Sequence, residues 1–364
     1  VFRIEAGELK RITSLLGRFV LKRNTIPALS CVHVRWGGGN AEWSATDLDG
    51  WLTVATSAGA DGEGAACIPH RVLADIAGRV DGTVEFAPEG EQVVLRAGRA
   101  RFTLNTISAD QYPERPKSGQ KLATVPAQTF ARVLRKVAPC CAEDYSRPAL
   151  TAVAWDGEAM VATDGTRLAV YEGVQSVGRT LLLGGQAMQV VAGLLPDQGE
   201  VHVFQGEAER VGLVVLTWAD GRCEYLVATR QVAAQYPDWR GGGPKGEPMF
   251  GATVWREAIV GALRRLAILG REERLPTVAM QFADGAVVLR ASSDAGSGEE
   301  EVTCEEMRGG DLTVRANANL VLDGLRLAES DVVEMRGWGP ETVQEIREAG
   351  SEAWRYLWLP LRSS

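Results

Sequence analysis

Two short fragments occur twice in this chain, in the same order and at nearly the same spacing. Ala45-Thr46-Asp47 returns as Ala162-Thr163-Asp164, 117 residues on, and Gln111-Tyr112-Pro113 returns as Gln235-Tyr236-Pro237, 124 residues on. An internal repeat constrains the fold more than composition can, because each copy must build the same structural unit. The chain has 364 residues, so a third copy fills the C-terminal third. Each copy then has the length of an ordinary domain.

The hydrophobic pattern supports three units. Each opens on a helical stretch, at 6–23, 127–141 and 253–270. In the first, Leu9, Ile12, Leu15, Leu16 and Phe19 recur at helical spacing. Strands follow at 41–55, 150–172 and 277–291, then a second helix at 69–80, 185–195 and 317–328. Further strands close the units at 84–106, 201–229 and 332–361. Alternation such as Arg101-Phe102-Thr103-Leu104 gives those strands one buried face. Breaks rich in Gly, Pro and Lys lie near 117–121 and 241–247. The expected architecture is α+β, with domains at 1–118, 119–246 and 247–364.

Charge is unevenly placed. Lys plus Arg number 39 and Asp plus Glu 47, a formal net charge of −8. The first helical stretch nevertheless carries Lys10, Arg11, Arg18, Lys22 and Arg23 against Glu8. The second carries Arg132, Arg135 and Lys136 against Glu143 and Asp144. The third carries Arg256, Arg264, Arg265, Arg271 and Arg274 against three glutamates. The second helices are nearly neutral, and acid concentrates at Glu299, Glu300, Glu301, Glu305 and Glu306. Basic helices on an acidic body can face DNA with one surface and repel it elsewhere. The same pattern also fits ordinary solvated helix faces.

Other classes lose support. A composition 45% hydrophobic and 24% charged is that of a globular chain, not a disordered one. No apolar run reaches the ~20 residues of a membrane span, and residues 1–10 lack the apolar core of a secretory signal. A cytosolic protein is expected. The six cysteines show no C-x-x-C spacing and read as structural thiols. There is no P-loop, no H-E-x-x-H, no Cys/His cluster and no G-x-S-x-G, so no cofactor and no catalytic constellation is expected. Asp47 and Asp49 share a face if they lie on a strand, and such a pair could hold Mg²⁺. At the repeat, however, Asp164 is followed by Gly165 and Thr166 with no second acid, which favours turn hydrogen bonds for Asp47.

Three segments carry a family resemblance. They are Thr25-Ile26-Pro27-Ala28-Leu29 leading to Ala45-Thr46-Asp47-Leu48, then the run from Val161 through Ala162-Thr163-Asp164-Gly165-Thr166-Arg167-Leu168-Ala169 to Val170, and the tail Tyr356-Leu357-Trp358-Leu359-Pro360-Leu361-Arg362. In this order and at these spacings the chain resembles the bacterial β sliding clamp, the processivity subunit of DNA polymerase III. The resemblance implies a head-to-tail homodimeric ring of three like domains per chain, with helices lining a hole and antiparallel sheets outside. It implies a non-catalytic scaffold that encircles duplex DNA without reading sequence and tethers the polymerase. Arg23 matches a DNA-facing position of the family, and charge and helix placement add Lys10, Arg11, Arg264 and Arg265.

The resemblance also implies partners: the polymerase III alpha subunit, the clamp loader and other proteins with a clamp-binding linear motif, a glutamine with apolar anchors. The matching pocket positions are Leu150, Thr163, Gly165, Thr166, Arg167, Leu168, Pro237, Leu357, Trp358, Leu359, Pro360, Leu361 and Arg362. At the dimer contact, Phe102 matches on the first domain and Ile268 and Leu269 on the third. The chain departs from the pattern at Gly241-Gly242-Gly243, where the family has an arginine and an aliphatic residue. It departs again at Trp358, in place of a smaller aliphatic residue, and at the acidic Glu143-Asp144-Tyr145. A divergent clamp with altered partner choice is the alternative these departures raise.

Overall fold

A computed structural model describes residues 1–21, 25–207, 212–270 and 276–362. One sequence of elements runs three times along the chain. The first pass holds β1 (Phe2–Glu5), α1 (Ala6–Leu16), β2 (Cys31–Gly37), β3 (Asn40–Thr46), β4 (Gly50–Ser57), β5 (Gly59–Ala60), β6 (Gly64–Pro69), α2 (His70–Ala77), β7 (Thr83–Glu89), β8 (Gln92–Ala97) and β9 (Ala100–Asn105). The second holds β10 (Lys117–Pro126), α3 (Ala127–Val137), β11 (Ala152–Asp156), β12 (Ala159–Thr163), β13 (Arg167–Glu172), β14 (Leu181–Gly184), α4 (Gly185–Leu194), β15 (Glu200–Glu207), β16 (Leu213–Ala219) and β17 (Cys223–Arg230). The third holds β18 (Phe250–Trp255), α5 (Arg256–Leu266), β19 (Thr277–Ala283), β20 (Ala286–Ser293), β21 (Gly296–Thr303), β22 (Glu306–Gly309), β23 (Leu312–Asn317), α6 (Ala318–Leu327), β24 (Val332–Gly337), β25 (Gln344–Glu348) and β26 (Trp354–Trp358).

The helices are shorter than their apolar patterns suggest. α1 ends at Leu16, its last helical bond running from the Gly17 amide to the Thr13 carbonyl at 3.0 Å. No side chain fits at Gly17, where a Cβ would lie 2.8 Å from the His70 ring. The third helical stretch begins three residues late, since Thr253, Val254 and Trp255 complete β18, as β-branched and aromatic residues favour.

The chain forms two compact units, Val1–Arg132 with Gln186–Gln231 and Val133–Gly185 with Val232–Ser364. The first unit holds a five-stranded sheet, β5-β1-β7-β8-β9, and an eight-stranded one, β10-β15-β16-β17-β4-β3-β2-β6. Its core stacks Phe2 on Phe86 at 4.6 Å, with Trp43 edge-on to both, and receives Leu9, Ile12 and Leu16 from α1. The second unit holds a nine-stranded sheet, β14-β11-β12-β13-β26-β25-β24-β18-β22, and a four-stranded one, β21-β20-β19-β23. Phe250 stacks on Phe282 at 3.9 Å in that unit, and Trp155, Trp354 and Tyr356 are fully buried. The eight- and nine-stranded sheets each contain one seam where strands of different copies pair, β17 with β4 and β13 with β26.

Candidate functional site

The repeated tripeptide builds the same turn in both copies. Before β4, the Thr46 hydroxyl donates to the Gly50 carbonyl at 2.7 Å and accepts the Leu48 amide at 2.9 Å. Asp47 Oδ1 accepts the amides of Asp49 and Gly50 at 3.1 and 2.7 Å. Before β13, Thr163 donates to the Arg167 carbonyl at 2.5 Å and accepts the Gly165 amide at 3.0 Å. Asp164 Oδ1 accepts the amides of Thr166 and Arg167 at 2.8 and 3.1 Å. The residue after each aspartate is left-handed, Leu48 at φ 76° and Gly165 at φ 95°. Asp47 is thus a turn residue, its Oδ1 taken up by two amides, and burial pushes its carboxyl above the usual range. The magnesium reading of Asp47 and Asp49 fails on this geometry. Among the described residues no group of three His, Cys, Asp or Glu could hold a metal ion.

The second seam brings most of the expected pocket residues together. Arg167 pairs with Trp358 and Leu168 with Leu357. Beyond β26 the chain stays pinned, the Leu359 amide donating to the Thr166 carbonyl at 3.0 Å and the Leu361 amide to the Arg315 carbonyl at 2.8 Å. Leu168 is half-buried over Ala159, Val161, Val170 and Trp239. Leu359 is 48% exposed, Pro360 and Leu361 are half-buried, and Gly165, Thr166, Pro237 and Arg362 are exposed. Leu150 and Leu357 are buried and Trp358 is only 2% exposed; Leu357 shares the Leu168 face of the seam and Trp358 the opposite, Arg167 face.

Each nitrogen of the Arg167 guanidinium has a partner. Its Nε donates to Asp164 Oδ2 at 2.8 Å, Nη1 to Asp323 Oδ2 on α6 at 2.7 Å and Nη2 to the Pro139 carbonyl at 3.2 Å. Beside the seam, the glycine run is a closed turn. Asp238 accepts the Gly241 amide on Oδ1 at 3.0 Å and the Gly242 amide on its carbonyl at 3.3 Å. A Cβ at Gly241 would collide with the Asp238 carboxylate. Arg240 stacks on the Trp239 ring at 4.1 Å and bonds the Asp156 carboxylate, which it holds below the usual carboxylate range.

The expected basic residues fare unequally. Lys10 and Arg264 are exposed. Arg11 donates to Glu8 at 2.9 and 2.6 Å and to the Tyr225 hydroxyl at 2.7 Å, which ties α1 to β17. Arg265 donates to Glu300 on β21 at 2.8 and 2.6 Å. Arg23 lies outside the described residues. Lys136 is withdrawn from the surface, 2% exposed, with Nζ 2.5 Å from Glu348 and over the Trp354 ring. Phe102 is half-buried on β9, Ile268 is 56% exposed just beyond α5, and Leu269 is half-buried. β9 and β21 are edge strands of their sheets.

The family described as DNA polymerase III beta subunit matches twice, its N-terminal domain over residues 1–116 and its C-terminal domain over residues 247–362. The chain belongs to this β sliding-clamp family. The beta sliding clamp of Streptomyces coelicolor is 25% identical, covering 100% of this chain and 99% of that protein. The beta sliding clamp homolog GriR of Streptomyces muensis is 29% identical, with 89% and 87% covered. Among solved structures, the beta subunit of Thermotoga maritima superposes with a TM-score of 0.86 at 23% identity over 100% of both chains. The sliding clamp of Pseudomonas aeruginosa bound to griselimycin gives 0.86 at 24% identity, over 100% of this chain and 99% of that one. At these identities the structures show the clamp fold.

Two features of this clamp escaped the sequence reading. Pro27-Ala28-Leu29 and Pro148-Ala149-Leu150 are a third repeated fragment. Both form 3₁₀ turns in which a following hydroxyl, Ser30 or Thr151, donates to the proline carbonyl at 2.7 or 2.8 Å. Val72, exposed on α2, adds an apolar side chain that no repeat signal marks.

Proposed function

We propose that two copies of this chain close head-to-tail into a ring that encircles duplex DNA, and that the ring tethers the replicative polymerase without catalysing a reaction. The domains are 1–118, 119–246 and 247–364, one per pass of the element order. The observation that carries this reading is a count of joints. Two seams join neighbouring copies within the chain, while the five-stranded sheet of the first copy and the four-stranded sheet of the third are each built from one copy alone, with β9 and β21 at an edge of each. Pairing β9 of one protomer with β21 of the next joins the two single-copy sheets in a third seam and covers those two edges. The charges complement each other, with Arg96, Arg99 and Arg101 on and beside β9 and Glu299, Glu300 and Glu301 on β21. Phe102 and Val72 meet Ile268 and Leu269 across that joint.

In this reading Lys10 and Arg264 are the exposed cations that touch phosphates, with Arg23 as the family's match. Few, screened contacts let the ring slide, and closure rather than affinity retains it. The seam of Leu168 with Leu359, Pro360 and Leu361 receives the linear motif of the polymerase alpha subunit, the clamp loader and other partners, an extended peptide with apolar anchors. Among the described residues no helix is long and apolar enough to cross a membrane, which suits a cytoplasmic site of action.

The deciding experiment loads the protein with a clamp loader onto nicked circular and linear DNA. Retention on the circle and loss from the linear form is expected, and equal loss from both rejects the ring. Light scattering should give a mass near twice 39.2 kDa. Ile268→Glu with Leu269→Glu should give a soluble monomer, because burying unpaired carboxylates costs several kcal/mol. A dimer from that variant moves the interface elsewhere. A second reading, a clamp with altered partner choice, is favoured by Gly241, whose amide is held by the Asp238 carboxylate in a closed turn where the family has larger side chains. Tight binding of the host polymerase's own clamp-binding peptide rejects it.

A further inference from the structure

The second seam contains a charge network centred on an arginine of the seam strand itself. Arg167 opens β13, and its guanidinium reaches three groups from three elements: Asp164 in the turn, the Pro139 carbonyl after α3, and Asp323 on α6. The same residue's backbone is fixed by Thr163, by Asp164 and by pairing with Trp358. The neighbouring Thr166 carbonyl holds the Leu359 amide. Asp323 and Arg167 therefore bind the third copy's helix to the strand edge on which the tail Leu359-Pro360-Leu361 is hung. At the first seam Gly50 stands in Arg167's place, and the tie runs instead from Arg11 on α1 to Tyr225 on β17.

We propose that Asp323 is the positioning residue of the partner-peptide groove, acting through Arg167 to hold Thr166, Leu168 and the tail in the geometry that accepts an extended peptide. This deepens the groove reading above and rests on it. Asp323 touches no peptide itself. It accepts from Arg167 Nη1, and Arg167 is only 18% exposed, so removing Asp323 leaves a largely desolvated charge short of an acceptor. A short arginine–carboxylate contact fixes direction as well as distance. Without it the guanidinium turns toward its remaining partners, and the Thr166 carbonyl and Leu359 move with it. Arg326, the other cation at Asp323, stands 3.3 Å away and is mostly exposed, so it is a bystander.

The test uses the whole chain and a fluorescein-labelled peptide of one glutamine followed by apolar anchors, read by anisotropy alongside thermal unfolding. Asp323→Ala should weaken binding by about tenfold or more, as loss of one partner of a desolvated charge pair does. Asp323→Glu should restore most of the affinity, and Arg326→Ala should leave it unchanged. Asp323→Asn, which keeps the shape and one acceptor, should fall between and folds even where the alanine variant does not. A merely structural role lowers the melting temperature without changing the affinity of the folded protein, so equal affinities for wild type and Asp323→Asn overturn the proposal. Failure of the wild type to bind the peptide overturns the groove reading as well. A normal wild type beside unaffected variants overturns this inference alone.

Discussion

The two seams share a backbone and differ in what stands on it. Both follow the same threonine–aspartate turn, and both pair the next strand with the last strand of another copy. On the first, Trp51 lies over Leu213, Val215 and Ala228 and is only 7% exposed. Arg230 covers its ring at 6.0 Å and lies 3.9 Å from Asp49. On the second, the equivalent residue is Leu168, half-buried, beside an exposed Leu359. Gly50 gives way to the Phe19 ring, 2.6 Å from where its Cβ would be, whereas Arg167 reaches Asp323. A repeat reproduces main-chain geometry because the turn's hydrogen bonds are local. Whether a seam is a filled joint or a groove is decided by two or three side chains that the repeat leaves free.

The sharpest break of this comparison is the same substitution on both sides. Leu168→Glu should cost peptide affinity about 100-fold or more with little change in melting. Trp51→Glu should leave peptide affinity intact and destabilise the first unit by about 4 kcal/mol, from lost packing and a carboxylate placed on apolar surface. Titration calorimetry and thermal unfolding separate the two. Equal effects on both readouts would mean that the seams do not differ in kind.

Next in size is the ion pair that serves only the second unit. Lys136 is buried against Glu348, which also accepts the Glu329 amide at 2.6 Å. Burial disfavours the Glu348 charge, but the lysine and these amides together hold its carboxyl below the usual range. Lys136→Ala should cost about 3 kcal/mol, since breaking a buried pair strands the other charge. Lys136→Met paired with Glu348→Leu should recover most of that loss. The carboxyl's pKa is lowered on folding, so the pair's stabilisation is present above the unfolded carboxylate pKa and is lost as pH falls below it.

The first unit carries the opposite kind of group. His33 stacks on Tyr112 at 5.1 Å, and burial, with Arg35 nearby, lowers its pKa from 6.5 to about 4. The unfolded chain takes up a proton that the folded one refuses, so stability falls as pH drops from 6.5 toward 4. His33→Gln should remove about 2 kcal/mol of that fall, seen as a flatter melting temperature between pH 7 and pH 4.5. An unchanged slope would shift the acid sensitivity to other groups.

The sequence announced the turns better than the surfaces. Thr46-Asp47 and Thr163-Asp164 were visible because a short hydrogen-bonded turn is written in consecutive residues. The third copy was faint for the same reason: β20 and β21 are joined by Asp294 and Ala295 alone, and the longer turn is absent. Charge counting could not show that Arg11, Arg265 and Lys136 are paired, since their partners Tyr225, Glu300 and Glu348 lie 35 to 214 residues away. Asp323 was passed over because a nearly neutral helix gives no periodic signal that one of its carboxylates reaches across a seam. Trp358 matched a family pocket position, yet nothing in its neighbours told that the ring turns inward.

The finest contrast between the seams is one residue of the shared turn. Gly165 adopts its left-handed conformation at no steric cost, while Leu48 holds φ 76° with a branched side chain. Left-handed backbone strains an L-residue by about 1 kcal/mol or more. Leu48→Gly relieves that strain but also loosens the unfolded chain, a loss of about 0.5–1 kcal/mol. Leu48 is half-buried, so some packing is lost too. The net change should be a stabilisation below about 1 kcal/mol, read as a small rise in melting temperature. Gly165→Leu should do the reverse and more, because a Cβ there would also lie 2.9 Å from Arg147. If Leu48→Gly destabilises instead, the leucine side chain holds the first seam shut, and the filled joint depends on Leu48 as well as on Trp51.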